Sequence, residues 1–330
     1  RMKPGKPSEE GAALLAVLLL VAIMAALAAA SLERLQLATR LAGNIASIDQ
    51  SRAFATGAES LAILRINDLL ATTPGKTTLQ GGWLGEPTLL PLPGGGVAEA
   101  TIWDGSNCFN LNSVARGEDP AALTTDQVGV LQFTGLMTAL RIPRGDAERI
   151  AWSLADWIDA DSIAARSGNE DRTYGQADQP YRTGNTLLAE VSELRAVAGV
   201  TPAYYERMRP WLCALPTTEL SPINVNTLLP EQAPLIAMLL PNRLDANGAS
   251  QAIAARPENG WNSIADFWNQ PVLANQEPLS EVIGQPEIRT RYFRLDLDVR
   301  LGDVELTQSA LIDASVSPAR IVSRRWGTDE

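Results

Sequence analysis

Histidine is absent from this 330-residue chain, and cysteine occurs only twice. The missing imidazole excludes Ser-His-Asp and Cys-His catalysis, together with every metal site that depends on histidine ligands. Two cysteines cannot build a structural zinc site on their own. The sequence also contains no P-loop, no Gly-x-Gly-x-x-Gly and no Gly-x-Ser-x-Gly nucleophile elbow. We therefore expect a protein that is not an enzyme.

Positive charge is scarce as well. The chain has 27 lysine and arginine residues against 38 aspartate and glutamate residues, which gives a formal net charge of −11. A protein that binds DNA or RNA needs a positive surface to hold the phosphates. We therefore expect no nucleic-acid partner.

No charged residue occurs between positions 11 and 32, a run of 22 residues. As a helix this run would be about 33 Å long, enough to cross a hydrocarbon core of about 30 Å. The apolar part of a cleaved secretory signal is shorter, about 7–15 residues. Arg1, Lys3 and Lys6 precede the run, so the positive-inside rule keeps the N-terminus in the cytoplasm. The sequence thus predicts a single membrane span followed by an exported domain.

The helical pattern continues beyond the membrane segment. Apolar residues follow at spacings of mostly three or four, which is the period of a helix face. They are Leu35, Ala38, Leu41, Ile45 and Ile48, then Phe54, Ala58, Leu61, Leu64 and Ile66. The first clear breaker is the Thr-Thr-Pro-Gly-Lys stretch at 72–76. We predict one helix of about 60 residues; hydropathy alone fits a plain anchor with an amphipathic extension equally well.

The N-terminal pattern is more specific than an anchor. A short basic leader ends in glycine, and the apolar helix follows at once. This resembles the class III signal of type IV pilins and type II secretion pseudopilins, and the resemblance implies that a prepilin peptidase cuts after Gly11 and that Ala12 becomes N-methylated. The family pattern has a glutamate at the fifth position after the cut, where this chain has Ala16. In a fibre that glutamate neutralises a neighbour's terminal amine in an apolar core, so its absence suits a subunit with no neighbour above it.

The chain resembles the minor pseudopilin K family of type II secretion in three features. These are the missing glutamate, the large size and an acidic loop at 156–185. The resemblance implies a bacterial inner-membrane protein with a periplasmic C-terminal domain. It also implies that the protein caps the pseudopilus tip with pseudopilins I and J, that pseudopilin H and the major pseudopilin G are further partners, and that it supports export of folded proteins across the outer membrane. Two alternatives stay open: a minor pilin of a type IV pilus or competence system, and an unprocessed bitopic calcium-binding periplasmic protein.

Strand patterns lie on both sides of a helical block. Ala98, Ala100 and Ile102 alternate with polar residues, and a second alternation runs from Phe293 to Leu301 before a Gly302-Asp303 turn. Between them, an Asn-x-Asn step followed by helical sequence occurs twice, which indicates two related units in which the asparagines cap helices. We predict an α+β, pilin-like fold with a long N-terminal helix, an antiparallel sheet and a large inserted all-α domain.

The expected segments are a leader (1–11), a membrane and assembly helix (12–32), its amphipathic continuation (33–72), a first part of the pilin-like core (73–112), an inserted helical domain (113–220), a second helical unit (221–285) and closing strands (286–330).

Cys108 precedes the first helical unit and Cys213 the second. If the domain is exported, a disulfide between them is the simplest interpretation.

The densest run of oxygen ligands lies at 156–185. Calcium takes six to eight oxygens from carboxylates, amides and carbonyls, and a glycine-rich acidic loop can supply them. An EF-hand register from Asp159 fails, because Ile163 and Ala164 fall where a ligand and a glycine belong. The run resembles the family pattern W-x-D-x-D…G-x-E-D-x-x-Y, which implies a calcium site with Asp159, Asp161, Glu170 and Asp171 as first-choice ligands. The alternative is a solvated acidic loop.

Overall fold

The computed structural model describes residues 9–165, 167–169, 171–176 and 179–327. Its helices are α1 (Glu9–Thr72), α2 (Gln127–Ala139), α3 (Arg144–Ile158), α4 (Asp171–Tyr174), α5 (Pro202–Met208), α6 (Ala233–Ala237), α7 (Ala246–Ala254), α8 (Ile264–Trp268) and α9 (Ser280–Ile283). Its strands are β1 (Thr88–Leu92), β2 (Gly96–Asp104), β3 (Phe109–Asn110), β4 (Ala115–Arg116), β5 (Thr124–Thr125), β6 (Leu212–Cys213), β7 (Tyr292–Leu301), β8 (Val304–Asp313) and β9 (Arg320–Trp326). Short 3₁₀ helices occupy Leu111–Val114, Pro120–Ala122, Val191–Ala196, Arg209–Trp211 and Pro230–Gln232.

The first element, α1, is one helix of 64 residues, which at about 1.5 Å per residue is about 96 Å long. It begins at Glu9, so Gly11 and Ala12 lie within its first turn. The predicted boundary between leader and assembly helix, after Gly11, therefore falls inside this helix and stays a prediction about processing. The helix ends at Thr72, at the breaker from which the sequence predicts its end. Positions 1–8 of the predicted leader lie outside the described residues.

The second half of α1 packs on one face of the main sheet. The apolar residues of its buried face are three alanines and one isoleucine, namely Ala55, Ala58, Ala62 and Ile66. The predicted apolar stripe was wrong in part, since Leu61 and Leu64 are 53% and 60% exposed. Short alanine side chains let the helix backbone approach the sheet closely, so the alanines rather than the leucines face it.

The main sheet is antiparallel, with the strand order β1-β2-β7-β8-β9. The predicted alternation in β7 is confirmed, and its buried members are Phe293, Leu295, Leu297, Val299 and Leu301. The predicted turn at Gly302 and Asp303 joins β7 to β8. Strand β1 was missed by the sequence analysis; it contains Pro91, which lacks an N–H and is tolerated because β1 is an edge strand. The long helix and the antiparallel sheet together confirm the α+β, pilin-like fold.

The helical insertion leaves the sheet after β2 and returns at β7, the neighbour of β2 in the sheet. It has its own hydrophobic core, in which the rings of Phe109 and Phe133 stack with their centroids 4.8 Å apart. A disulfide joins Cys108 to Cys213, with the two Cα atoms 5.7 Å apart, beside the parallel pairing of β3 with β6. The bond spans 105 residues, and closing a loop of that size restricts the unfolded chain by up to about 4.7 kcal/mol.

The two Asn-x-Asn steps make equivalent contacts in the two helical units. The side chain of Asn112 donates to the carbonyl of Leu188 and accepts from the amide nitrogen of the same residue, at 2.9 and 2.8 Å. The side chain of Asn226 does the same to Trp261, at 3.0 and 2.6 Å. Each asparagine therefore clamps the backbone of a residue distant in sequence, which supports the interpretation of an internal duplication.

The predicted capping role of these asparagines is wrong for the longer helices. The side chain of Asp126 caps α2 and that of Asp245 caps α7. Asn110 caps only the 3₁₀ helix at Leu111–Val114. A capping side chain must lie directly before the first turn of its helix. The Asn-x-Asn steps lie too far before α2 and α7 to cap them.

A carboxylate is buried between α1 and the sheet. Glu59 is 2% exposed. Arg324 of β9 donates two hydrogen bonds of 2.6 Å to its two oxygens, and the side-chain amide of Gln308 on β8 donates a third. The bidentate ion pair ties α1 to the last strand of the sheet.

We expect Arg324→Met to lower the free energy of unfolding by about 2–4 kcal/mol, because Glu59 would stay buried and lose its cation. Urea unfolding of the detergent-solubilised chain, followed by tryptophan fluorescence, measures the change. The matched control is Arg320→Met, whose side chain is 67% exposed and lies 3.5 Å from Asp313; its loss should stay below about 1 kcal/mol. Equal losses in the two variants would contradict the role of Glu59.

A half-buried carboxylate joins the sheet to the second helical unit. Asp104, at the end of β2, accepts hydrogen bonds from the hydroxyls of Thr227 and Thr290 at 2.6 and 2.5 Å, and from the amide of Ser106 at 2.9 Å. Burial raises the pKa of Asp104, and the hydrogen bonds offset that rise only in part.

The raised pKa of Asp104 predicts a pH-dependent contribution to stability. The folded state holds the proton more tightly than the unfolded state, in which the pKa is near 3.8. The contribution is therefore fully present below that value and is lost as pH rises through the folded-state pKa. Urea unfolding between about pH 4 and pH 8 should show the wild-type advantage over Asp104→Asn shrinking as pH rises. A difference that does not change with pH would refute this.

Candidate functional site

The first half of α1 presents an apolar surface to its surroundings. Residues 11–46 are all exposed, and the most apolar 18-residue window has a mean hydropathy of 2.9 with none of it buried. At about 1.5 Å per residue this half is about 54 Å long, which exceeds the hydrocarbon core of about 30 Å. It is the one helix among the described residues that is long and apolar enough to cross a membrane.

The predicted processing residues lie at the start of this surface. Gly11 and Ala12 are exposed in the first turn of α1, and Ala16 is exposed about one turn further on. The sequence places no acidic side chain between positions 11 and 32. At Ala16 the helix offers a methyl group and no carboxylate.

The acidic loop follows α3, whose last turn carries Asp156. This carboxylate is 1% exposed and accepts hydrogen bonds of 3.2 and 3.1 Å from the amide nitrogen of Ala165. Burial raises its pKa to about 6, and the negative charges of Asp159 and Asp161 add to the shift. A Cβ at Gly168 would lie 2.0 Å from Oδ2 of Asp156, so only glycine allows the loop to fold this closely over it.

Asp159 directly follows α3 and is 5% exposed. Its Oδ2 accepts a hydrogen bond of 2.9 Å from the hydroxyl of Thr125. Its Oδ1 is buried and has no hydrogen-bond partner among the described residues. Burial, together with the charge of Asp161, raises the pKa of Asp159. A buried anionic oxygen without a partner is costly, and a bound cation would remove that cost.

The other predicted ligands are arranged differently. Asp161 is exposed and accepts a hydrogen bond of 2.7 Å from the amide of Ile163. Asp171 accepts from both the amide and the hydroxyl of Thr183, each at 2.9 Å, and these bonds lower its pKa. Glu170 lies outside the described residues. Within the described part of the chain, no group of three or more acidic, histidine or cysteine side chains is placed to hold one ion.

The predicted ligand set does not include Asp156. The structure brings Asp156, Asp159 and Asp161 close enough to perturb the pKa of Asp156, whereas Asp171 is held by Thr183. A sequence signal was available: an aspartate in the last turn of a helix opposes the helix dipole, and the spacing of three places Asp156 and Asp159 on the same side. The two buried carboxylates suit a hard cation, while the described oxygen set is smaller than calcium requires.

Aromatic rings hold the base of this loop. Trp157 contacts Tyr174 edge-on with centroids 5.1 Å apart, and Tyr181 lies 5.2 Å from Tyr174. The amide of Asn185 donates to the carbonyl of Trp157 at 2.9 Å, which returns the loop to the end of α3. The loop is thus anchored at both ends by packing and hydrogen bonds.

Comparison with known proteins gives consistent results. Residues 107–217 and residues 223–284 each match a family model, and both models describe type II secretion system (T2SS) protein K. The chain is 33% identical over 322 residues to the type II secretion system protein K of Pectobacterium carotovorum subsp. carotovorum, and equally identical over the same length to that of Klebsiella pneumoniae; 97% of each chain is covered. A chain in the crystal structure of the GspK-GspI-GspJ complex from enterotoxigenic Escherichia coli superposes with a TM-score of 0.73 and 30% identity, covering 85% of this chain and 97% of that one.

Proposed function

Because the chain belongs to the type II secretion system protein K family, we propose that it is a minor pseudopilin that caps the pseudopilus tip with pseudopilins I and J. The observation that carries this proposal is the similarity to a chain of the GspK-GspI-GspJ complex over 85% of the present chain. In this role the protein supports the export of folded proteins across the outer membrane. Its work is mechanical, so we propose no catalytic activity for it.

The protein is anchored in a membrane by a single pass, through the exposed apolar half of α1. We infer that this membrane is the bacterial inner membrane and that the domain beyond α1 lies in the periplasm. The basic residues before the apolar run favour a cytoplasmic N-terminus. The Cys108–Cys213 disulfide supports the same orientation, because disulfides persist in oxidising compartments such as the periplasm.

We infer that prepilin peptidase cuts between Gly11 and Ala12 and that the freed helix then passes from the lipid into a fibre. Apolar surface that leaves lipid must be covered again, and the apolar helices of other subunits can cover it. Ala16 fits the upper end of such a fibre, where no subunit above requires a carboxylate. Pseudopilin H and the major pseudopilin G would then contact the protein from below.

The proposed tip complex predicts co-purification. The tagged full-length chain, expressed with pseudopilins I and J of the same system, should retain both on an affinity column. Leu41→Glu should lower that retention several-fold, because Leu41 is 53% exposed on α1 and contributes apolar surface to a neighbouring helix.

Gln50→Glu, at an exposed polar position of the same helix, is the matched control and should retain both partners. Retention of type IV pilus components in place of I and J would favour a minor pilin of that system. Mass spectrometry of the N-terminus provides a separate check, since an uncut Gly11–Ala12 bond would identify an unprocessed bitopic protein.

We further propose that the acidic loop binds calcium. Asp156 and Asp159 would hold the ion at the end of α3, with Asp161, Glu170 and Asp171 as the remaining carboxylate candidates. When bound, the ion supplies positive charge that offsets the repulsion between these carboxylates. The unpartnered Oδ1 of Asp159 and the raised pKa of Asp156 support this proposal.

Calcium should therefore raise the melting temperature of the full chain, and Asp159→Asn should remove most of that rise because it removes the anionic oxygens of a buried ligand. Thermal unfolding of chelator-treated protein, with and without added calcium, measures the shift in melting temperature. Asp303→Asn, in the exposed β7–β8 turn, should respond to calcium as the wild type does. If calcium neither binds in isothermal titration nor shifts the wild-type transition, the acidic loop is only a solvated loop.

A further inference from the structure

An open cleft lies between the helical insertion and the outer face of the main sheet. The inner face of the sheet, with Phe293 and Leu295, packs towards α1, and the cleft lies on the opposite side. Its volume is about 440 Å³. The floor is one row of register partners across four strands, namely Trp103 of β2, Arg294 of β7, Leu311 of β8 and Ser323 of β9. The opposite wall belongs to the insertion and includes residues 189–191 and 210–215.

Both cysteines of the disulfide line this cleft. Their exposures differ, because Cys108 is 8% exposed whereas Cys213 is partly exposed. Thiol–disulfide exchange proceeds by attack of a thiolate on one of the two sulfurs, so its rate depends on access to that sulfur. The cleft therefore presents Cys213 to an incoming thiolate and makes Cys108 the leaving group.

The segments that carry the two cysteines are also held together by contacts other than the disulfide. Asn110 pairs with Cys213 in the β3–β6 ladder. The side chain of Asn110 accepts from the amide of Leu215 at 3.0 Å and donates to the carbonyl of Thr217 at 2.8 Å. Its backbone nitrogen donates to the hydroxyl of Ser221 at 2.7 Å. These hydrogen bonds keep the two thiols of the reduced protein next to each other, ready to form the bond again.

We propose that this cleft is a thiol–disulfide exchange site, at which a dithiol breaks and remakes the Cys108–Cys213 bond in the folded protein. A thiolate of the dithiol attacks Sγ of Cys213, the S–S bond breaks, and Cys108 leaves as a thiolate that takes up a proton. The second thiol of the reagent loses its proton and attacks the reagent sulfur of the mixed disulfide, which releases Cys213 as a thiol. The dithiol is thereby oxidised by two electrons and the protein bond is reduced by two.

The reverse reaction, with the oxidised reagent, would form the bond after the insertion has folded. A disulfide enclosed in a core would exchange only when the surrounding structure opens. Through the cleft, the covalent link at the base of the insertion responds to a dithiol couple while the fold is kept.

The test measures reduction of the detergent-solubilised full chain by dithiothreitol, with the free thiols alkylated and counted by mass spectrometry. We expect Arg324→Met to be reduced at the wild-type rate. Arg324 pairs with Glu59 on the α1 side of the sheet, so this substitution changes the stability of the fold and leaves the cleft intact. Reduction through global unfolding would instead be at least about tenfold faster in Arg324→Met, because the unfolded population rises. Urea below the unfolding transition raises that population in a second way.

A second variant narrows the cleft itself. Ala189 is exposed and lines the cleft, and Asn112 donates to the carbonyls of both Leu188 and Leu215 at 2.9 Å, which places this wall beside the Cys213 segment. We expect Ala189→Trp to slow the reduction at least about fivefold, because the indole restricts access to the sulfur. The matched control is Ala203→Trp, at an exposed position of α5 that does not line the cleft, and it should be reduced at the wild-type rate.

Oxidised dithiothreitol should then restore the bond, with the near-UV circular dichroism of the protein unchanged throughout. The proposal fails if Arg324→Met or urea speeds the reduction as global unfolding requires, if a folded Ala189→Trp is reduced as fast as the wild type, or if reduction abolishes the near-UV signal. Should Ala189→Trp not fold, the comparison with Arg324→Met still decides. Retention of pseudopilins I and J on the affinity column is a separate measurement, so failure of one proposal is distinguishable from failure of the other.

Discussion

The packing of the second half of α1 against one face of the antiparallel sheet is the contact on which the rest of the molecule depends. Three alanines bring the helix close to the sheet, and the buried Glu59–Arg324 pair ties it to the last strand. Because this contact uses only the second half of the helix, the first half stays uncovered by the described chain. We propose that the same apolar surface serves first as a membrane anchor and later as a helix within a fibre.

The helical insertion is attached to this platform at closely spaced points. It leaves and re-enters between two neighbouring strands, and the Cys108–Cys213 disulfide and the Asp104 hydrogen bonds hold its base. Asn112 and Asn226 then fix the backbone of each helical unit. A large domain is thereby carried at the end of a long helix without disturbing the helix–sheet contact, which suits a subunit that ends a fibre.

The acidic loop has one physical feature that favours a bound ion, namely a buried polar atom that the described chain leaves without a partner. This atom is Oδ1 of Asp159. An anionic oxygen among other carboxylates calls for a cation. The loop lies in the insertion, away from the surface of α1 that assembly would cover.

Local periodicity in the sequence determined the long helix and the alternation of β7, and local Pro and Gly residues determined the helix end at Thr72 and the turn at Gly302, because each depends on neighbours a few residues apart. Only the tertiary structure decided which face of α1 is buried, since Ala58 and Leu61 fit a helical stripe equally well until the shape of the sheet selects the smaller side chain. The acidic run was visible in the sequence, but the burial of Asp156 beneath Gly168 was not, because it depends on how the loop folds back over α3.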